Sequence, residues 1–220
     1  MLNDVEIVVK LRVEARERAG EPIREAYSGV EQVSPQTSML LEALPARSAV
    51  KYYSAESIQP AFLDQLRGEL KKIDEALWPH EANAQALRYF IAASRVDGLE
   101  SGIYELTPNG SKLIAIFAPG EGLGSMVLQP EFADAAAILL TVGSLRSALE
   151  SRGAHGHRIL LSRAGAACEY AWLTAIAAGY SASIFAGFLP SALRFKLGLD
   201  GFEASQLLAL AVGHALNEGA

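Results

Sequence analysis

Residues 157–213 read HRILLSRAGAACEYAWLTAIAAGYSASIFAGFLPSALRFKLGLDGFEASQLLALAVG, and the order of elements in this stretch decides the fold. Its first half is rich in Ala and Gly and reads as a small-residue helix ending near Ala178. Gly179 follows as a left-handed cap. Ser181 to Ala186 reads as a short strand, with Ala186-Gly187-Phe188 at its end. A further helix is closed by Leu197-Gly198-Leu199-Asp200, and an apolar strand reaches Gly213. Tyr170 to Leu193 carries no charge over 24 residues, a length that could span a membrane. Gly179 interrupts it, and its residues are Ala, Ser and Gly more than Leu and Ile. Two elements joined by a turn explain it better than one buried span.

Upstream of this stretch, helices and strands are interspersed without a repeating βαβ order, which argues for an α+β architecture. Ser57 to Leu77 reads as an amphipathic helix through Ile58, Phe62, Leu66, Leu70, Ile73 and Leu77, with Ser57 or Ser54 as its cap and Trp78-Pro79 as its end. Arg88 to Ala93, Gly102 to Leu106, Leu113 to Phe117 and Ala135 to Val142 read as strands. The turns Val96-Asp97-Gly98 and Pro108-Asn109-Gly110 separate the first three. Pro119 to Gly124 reads as a flexible connector. Leu145 to Ser151 is a short helix, and His155-Gly156-His157 form a turn before the long one. The N-terminal residues 1–38 read as an extension, and 39–220 as the domain. Val5, Val8, Val9 and Leu11 precede the charged run EARERAG, and strand and helix both remain open there.

Composition limits the chemistry. The 220 residues are 50% apolar and carry a net charge of -6, which offers nucleic acid or an anionic membrane no general attraction. Cys168 is the single cysteine, so an internal disulfide is excluded and no zinc-type ligand spacing exists. The N-terminus lacks the long apolar core of a secretory signal. A cytoplasmic protein is the expectation.

Three further motifs carry a resemblance. Pro45-Ala-Arg47-Ser48-Ala-Val-Lys51-Tyr52-Tyr53 precedes the amphipathic helix. Pro79-His-Glu-Ala-Asn83-Ala-Gln85 follows it, and Arg95-Val-Asp-Gly-Leu-Glu-Ser-Gly-Ile-Tyr104 forms a hairpin. Together with residues 157–213, these resemble the nitroreductase-like flavoproteins. The hairpin is similar to that of their SagB-type branch, dehydrogenases that oxidise azolines in modified peptides. The resemblance implies a nitroreductase-like α+β fold, an antiparallel-rich mixed sheet flanked by helices, and a dimer formed with itself or with a related subunit.

It also implies FMN as cofactor and a thiazoline or oxazoline in a peptide or small molecule as substrate. Arg47, Ser48 and Lys51 would hold the flavin phosphate, since a phosphate dianion needs cationic donors plus a short hydroxyl. Asn83 and Gln85 would bond the ring edge. Ala186 and Gly187 would present main-chain N–H to flavin N5. The branch's Lys-Tyr pair is replaced here by Ser151-Arg152, leaving Arg152 and His155 as candidate charge or proton partners. Ala46 and Val50 stand where the family has Arg, and the tail after Gly213 has His214 but no fixed cation. Arg158 and Arg163 are further candidates to neutralise phosphate. These departures also fit a second expectation: a flavin-free protein of this fold, serving as a partner or peptide-binding subunit in a biosynthetic complex.

Overall fold

The computed structural model describes residues 47–216. Chain contacts divide the protein into Met1–Ser38 and Met39–Ala220. The expectations for residues 1–46 lie outside the described residues, Pro45 and Ala46 included.

Among the described residues six strands form one sheet: β1 (Arg88–Ala93), β2 (Gly102–Thr107), β3 (Gly110–Ile116), β4 (Ala137–Gly143), β5 (Ser181–Phe185) and β6 (Ser205–Gly213). Their order is β3-β2-β1-β4-β6-β5. Every pairing between them is antiparallel, so the sheet is more uniform than the mixed one the resemblance implies. A parallel bridge, Ile58 to Val96, lies outside the strands.

Both faces of the sheet are covered, which is why its central strand reads AILLTVG without polar alternation and is buried along its whole length. On one face Tyr89, Ile91, Leu139 and Leu210 pack under helices α1 (Pro60–Leu77) and α3 (Leu145–Ala177). On the other, Phe90, Ile138, Leu140 and Ala209 meet Phe117, Met126, Phe132 and Phe188, together with Leu193 of α4 (Pro190–Leu197).

Helix α1 begins at Pro60, later than Ser57, because proline is well suited to a first helical turn whose N–H groups are unpaired anyway. Neither Ser54 nor Ser57 caps it. The Ser57 hydroxyl donates to Asp97 instead, at 2.5 Å. After Trp78, where the amphipathic helix was expected to end, the chain enters a six-residue helix, α2 (Pro79–Ala84), with no buried residue.

Residues 145–177 are two helices joined at Arg152 and Gly153, where Gly153 has φ 55°, a value side-chain-bearing residues rarely adopt. His155-Gly156-His157 therefore lies inside the second helix and forms no turn. Gly156 lets the two segments cross closely: a Cβ there would stand 1.9 Å from the Ala148 carbonyl oxygen. The far end closes as expected. Gly179 (φ 83°) donates to the Ile176 carbonyl at 2.9 Å, and Tyr180 to Ala175 at 2.8 Å. Among the described residues no helix is long and apolar enough to cross a membrane.

The connector at residues 119–124 is clamped. Glu121 accepts from the Ala118 amide at 2.9 Å and pairs with Lys196 at 2.6 Å. The Lys196 contact leads in holding its carboxyl below the usual range.

Candidate functional site

The segment containing Arg47, Ser48 and Lys51 is fastened to the sheet edge. The Ser183 hydroxyl on β5 donates to the Val50 carbonyl at 2.6 Å. The Tyr53 hydroxyl lies 3.0 Å from the same carbonyl and 3.3 Å from that of Ala211 on β6. Burial, first among causes, pushes the Tyr53 phenol well above its usual range, so it stays a donor. Ser54 N to His214 O (2.8 Å) and Leu216 N to Tyr52 O (2.9 Å) tie the segment to the end of the chain after β6. Val50, where an Arg was expected, packs its side chain against the core.

Arg47, Ser48 and Lys51 remain exposed. The Arg47 guanidinium sits over the Trp172 ring, 4.7 Å from its centroid, and pairs with Glu169 at 3.3 Å. Trp172 is buried, and its indole N–H has no acceptor among the described residues.

Ala186 and Gly187 leave the C-terminal end of β5, so the basic segment and this loop share one edge strand. The loop is braced by the connector at residues 126–129. Leu128 N donates to Gly187 O at 2.9 Å, Leu189 N donates to Met126 O at 2.8 Å, and Val127 bridges Phe188. Leu128 and Gln129 were not singled out in the sequence, because the connector carries no motif.

A second group lies elsewhere. Asn83 is exposed on α2, and Gln85, half-buried at its C-terminus, accepts from Arg163 Nη2 at 2.8 Å through its carbonyl. Arg152 pairs with Glu81 at 2.9 Å, and His155 is exposed. Arg152 and Gln85, with His80, Glu81, Ser151 and Arg163, line a cleft of about 380 Å³. From Ala154 to Glu169 the helix rises about 22 Å. A single chain therefore does not bring the His155 end of the helix to Arg47, while Arg163, at the other end of the cleft lining, lies about 9 Å of rise from Glu169.

Arg163 is not free to meet a phosphate. It is buried and forks onto Asp74, Nε to Oδ1 at 2.8 Å and Nη2 to Oδ2 at 2.7 Å. Asp74 was missed as a partner, although it follows Leu66 and Leu70 at i+4 spacing on the apolar stripe of α1, where a lone charge signals a buried pair. Among the described residues no cluster of three or more His, Cys, Asp or Glu could hold a metal ion.

Two exposed cations and a serine hydroxyl are donor types that fit a phosphate-bearing cofactor, with Glu169 facing Arg47 in opposition.

The sequence profile of the Nitroreductase family matches residues 44–214. No curated protein matches the chain. Among solved structures, the chain is similar to a protein of Anabaena variabilis described as a nitroreductase, with 25% identity and a TM-score of 0.66. That match covers 82% of this chain and spans only 39% of the Anabaena chain. A chain of the Escherichia coli microcin synthetase McbBCD complex with truncated pro-MccB17 bound matches 99% of this chain and 85% of its own at 16% identity and a TM-score of 0.59. A nitroreductase-type protein of Exiguobacterium sibiricum in complex with FMN matches 82% and 90% at 14% identity and a TM-score of 0.53. The last two identities speak to fold alone. With its profile match over most of the chain and its six-stranded sheet between helical layers, the protein belongs to the Nitroreductase family.

Proposed function

We propose that this protein is an FMN-dependent oxidoreductase of the SagB type, acting on azoline rings in modified peptides or related natural products. The supporting observation is the Ser183–Val50 hydrogen bond, which holds the basic segment on the same edge strand that ends in Ala186-Gly187. FMN, when bound, supplies the hydride-accepting ring. Arg47 and Lys51 hold its phosphate and Ser48 adds a hydroxyl, while the Ala186–Gly187 main chain approaches the ring. Asn83 and Gln85 reach a ring edge from the second chain of a dimer, formed with itself or with a related subunit. Arg152 and His155, beside the 380 Å³ cleft, serve as charge and proton partners for substrate. The peptide-bound microcin synthetase complex among its structural neighbours supports a peptide substrate. A cytoplasmic location, and residues 1–38 as an extension to the domain, belong to the same reading.

A specific observation favours the second reading, a flavin-free partner or peptide-binding subunit. Arg47, Arg152 and Arg163 each already face a carboxylate: Glu169, Glu81 and Asp74. One experiment separates the two. The purified protein is expected to absorb as oxidised flavin and to release FMN on heating, and Arg47→Ala to lose the cofactor while staying folded. A colourless protein that takes up no added FMN overturns the enzyme reading and leaves the second.

A further inference from the structure

Gly187 has a neighbour whose placement matters to whatever docks there. Gln129 comes from the connector before the 3-10 turn Pro130–Phe132, and its Oε1 lies 2.8 Å from where a Cβ on Gly187 would stand, with Cδ at 3.5 Å. Leu128 lies against the same point, its Cβ at 3.5 Å, with its side chain 59% exposed. Gln129 is exposed too. The backbone beneath both is fixed by the Leu128–Gly187 and Leu189–Met126 hydrogen bonds and the Val127–Phe188 bridge. A flexible amide is thus carried on a rigid base, against a glycine with no side chain to displace it.

We infer that Gln129 is a positioning residue of the Ala186–Gly187 loop, its carboxamide lying against Gly187 and its amide donor serving the acceptor edge of a flat heterocycle docked there, with Leu128 as the adjoining apolar contact. A primary amide offers two N–H donors and an acceptor, so it suits a neutral heterocycle bearing a carbonyl or ring nitrogen better than a carboxylate would. This rests on the flavin reading above and adds a residue to it.

The test uses the full-length protein titrated with FMN, reading affinity from flavin fluorescence and environment from the visible absorption bands. Binding by the wild type is the parent reading's own test; failure there overturns that reading and this inference with it. Given binding, Gln129→Ala is expected to weaken FMN by roughly three- to tenfold, the size of one hydrogen bond, and to shift the absorption bands. Gln129→Met, similar in length but without the amide, is expected to do the same. Gly187→Ala displaces Oε1 and should also shift the bands. Wild-type binding alongside unchanged bands and affinity in both Gln129 variants overturns this inference alone.

Discussion

The Arg163 guanidinium grips both carboxylate oxygens of Asp74 at 2.8 and 2.7 Å, in the layer between α1 and α3, with both side chains buried. Removing one partner strands a buried charge, whereas removing both lets an apolar core close. Arg163→Met should therefore destabilise the protein by about 3–5 kcal/mol, and Asp74→Leu with Arg163→Met by much less. Urea unfolding of the two variants checks this; equal losses would mean that stranded charge is not the cause.

Two glycines on α3 should respond oppositely to alanine. At Gly156 the new Cβ meets the Ala148 backbone at 1.9 Å, which no rotamer change relieves. The helices must separate, at about 1–3 kcal/mol or more. At Gly165 nothing lies within 4 Å, so Gly165→Ala should gain about 0.5–1 kcal/mol from helix propensity. Thermal melts of the pair would reveal the contrast, and similar melting temperatures would contradict the close crossing.

Glu169 competes with any anion for Arg47, their contact being 3.3 Å with both side chains about two-fifths exposed. Glu169→Gln should tighten phosphate-bearing ligands by roughly three- to tenfold by releasing the guanidinium, a small effect because the pair is partly solvated. FMN titration measures it. No change would mean that Arg47 does not meet the phosphate.

Burial pushes the Cys168 thiol from its ordinary 9.0 up to about 11. The unfolded thiol then ionises at a pH where the native one does not. Stability is full below pH 9 and falls as pH rises towards 11. Burial raises the phenols of Tyr53 and Tyr89 in the same direction, which extends the loss to higher pH. Unfolding midpoints measured from pH 8 to 11 should decline, less steeply in Cys168→Ala, and native Cys168 should resist thiol reagents at pH 8 until denaturant is added.

The local pattern of the chain was enough to determine most of its elements, though not α2 or the break at Gly153. Threes-and-fours spacing marked α1, unbroken apolar runs marked β1 and β4, and Gly179 marked the end of the long helix. These readings work because a periodic apolar face or a glycine cap acts within a few residues. What joins distant residues was not legible: Arg163 paired with Asp74, Gln129 against Gly187, and Arg47 held by Glu169. The HGH motif looked like a turn because its helix breaks three residues earlier, at Gly153, a difference only the backbone angles reveal. Tertiary structure decided which charges are already neutralised and which stay open to a ligand. Pairing depends on which side chains packing brings within a few ångströms, and residues 89 positions apart leave no mark of that in their own neighbourhoods.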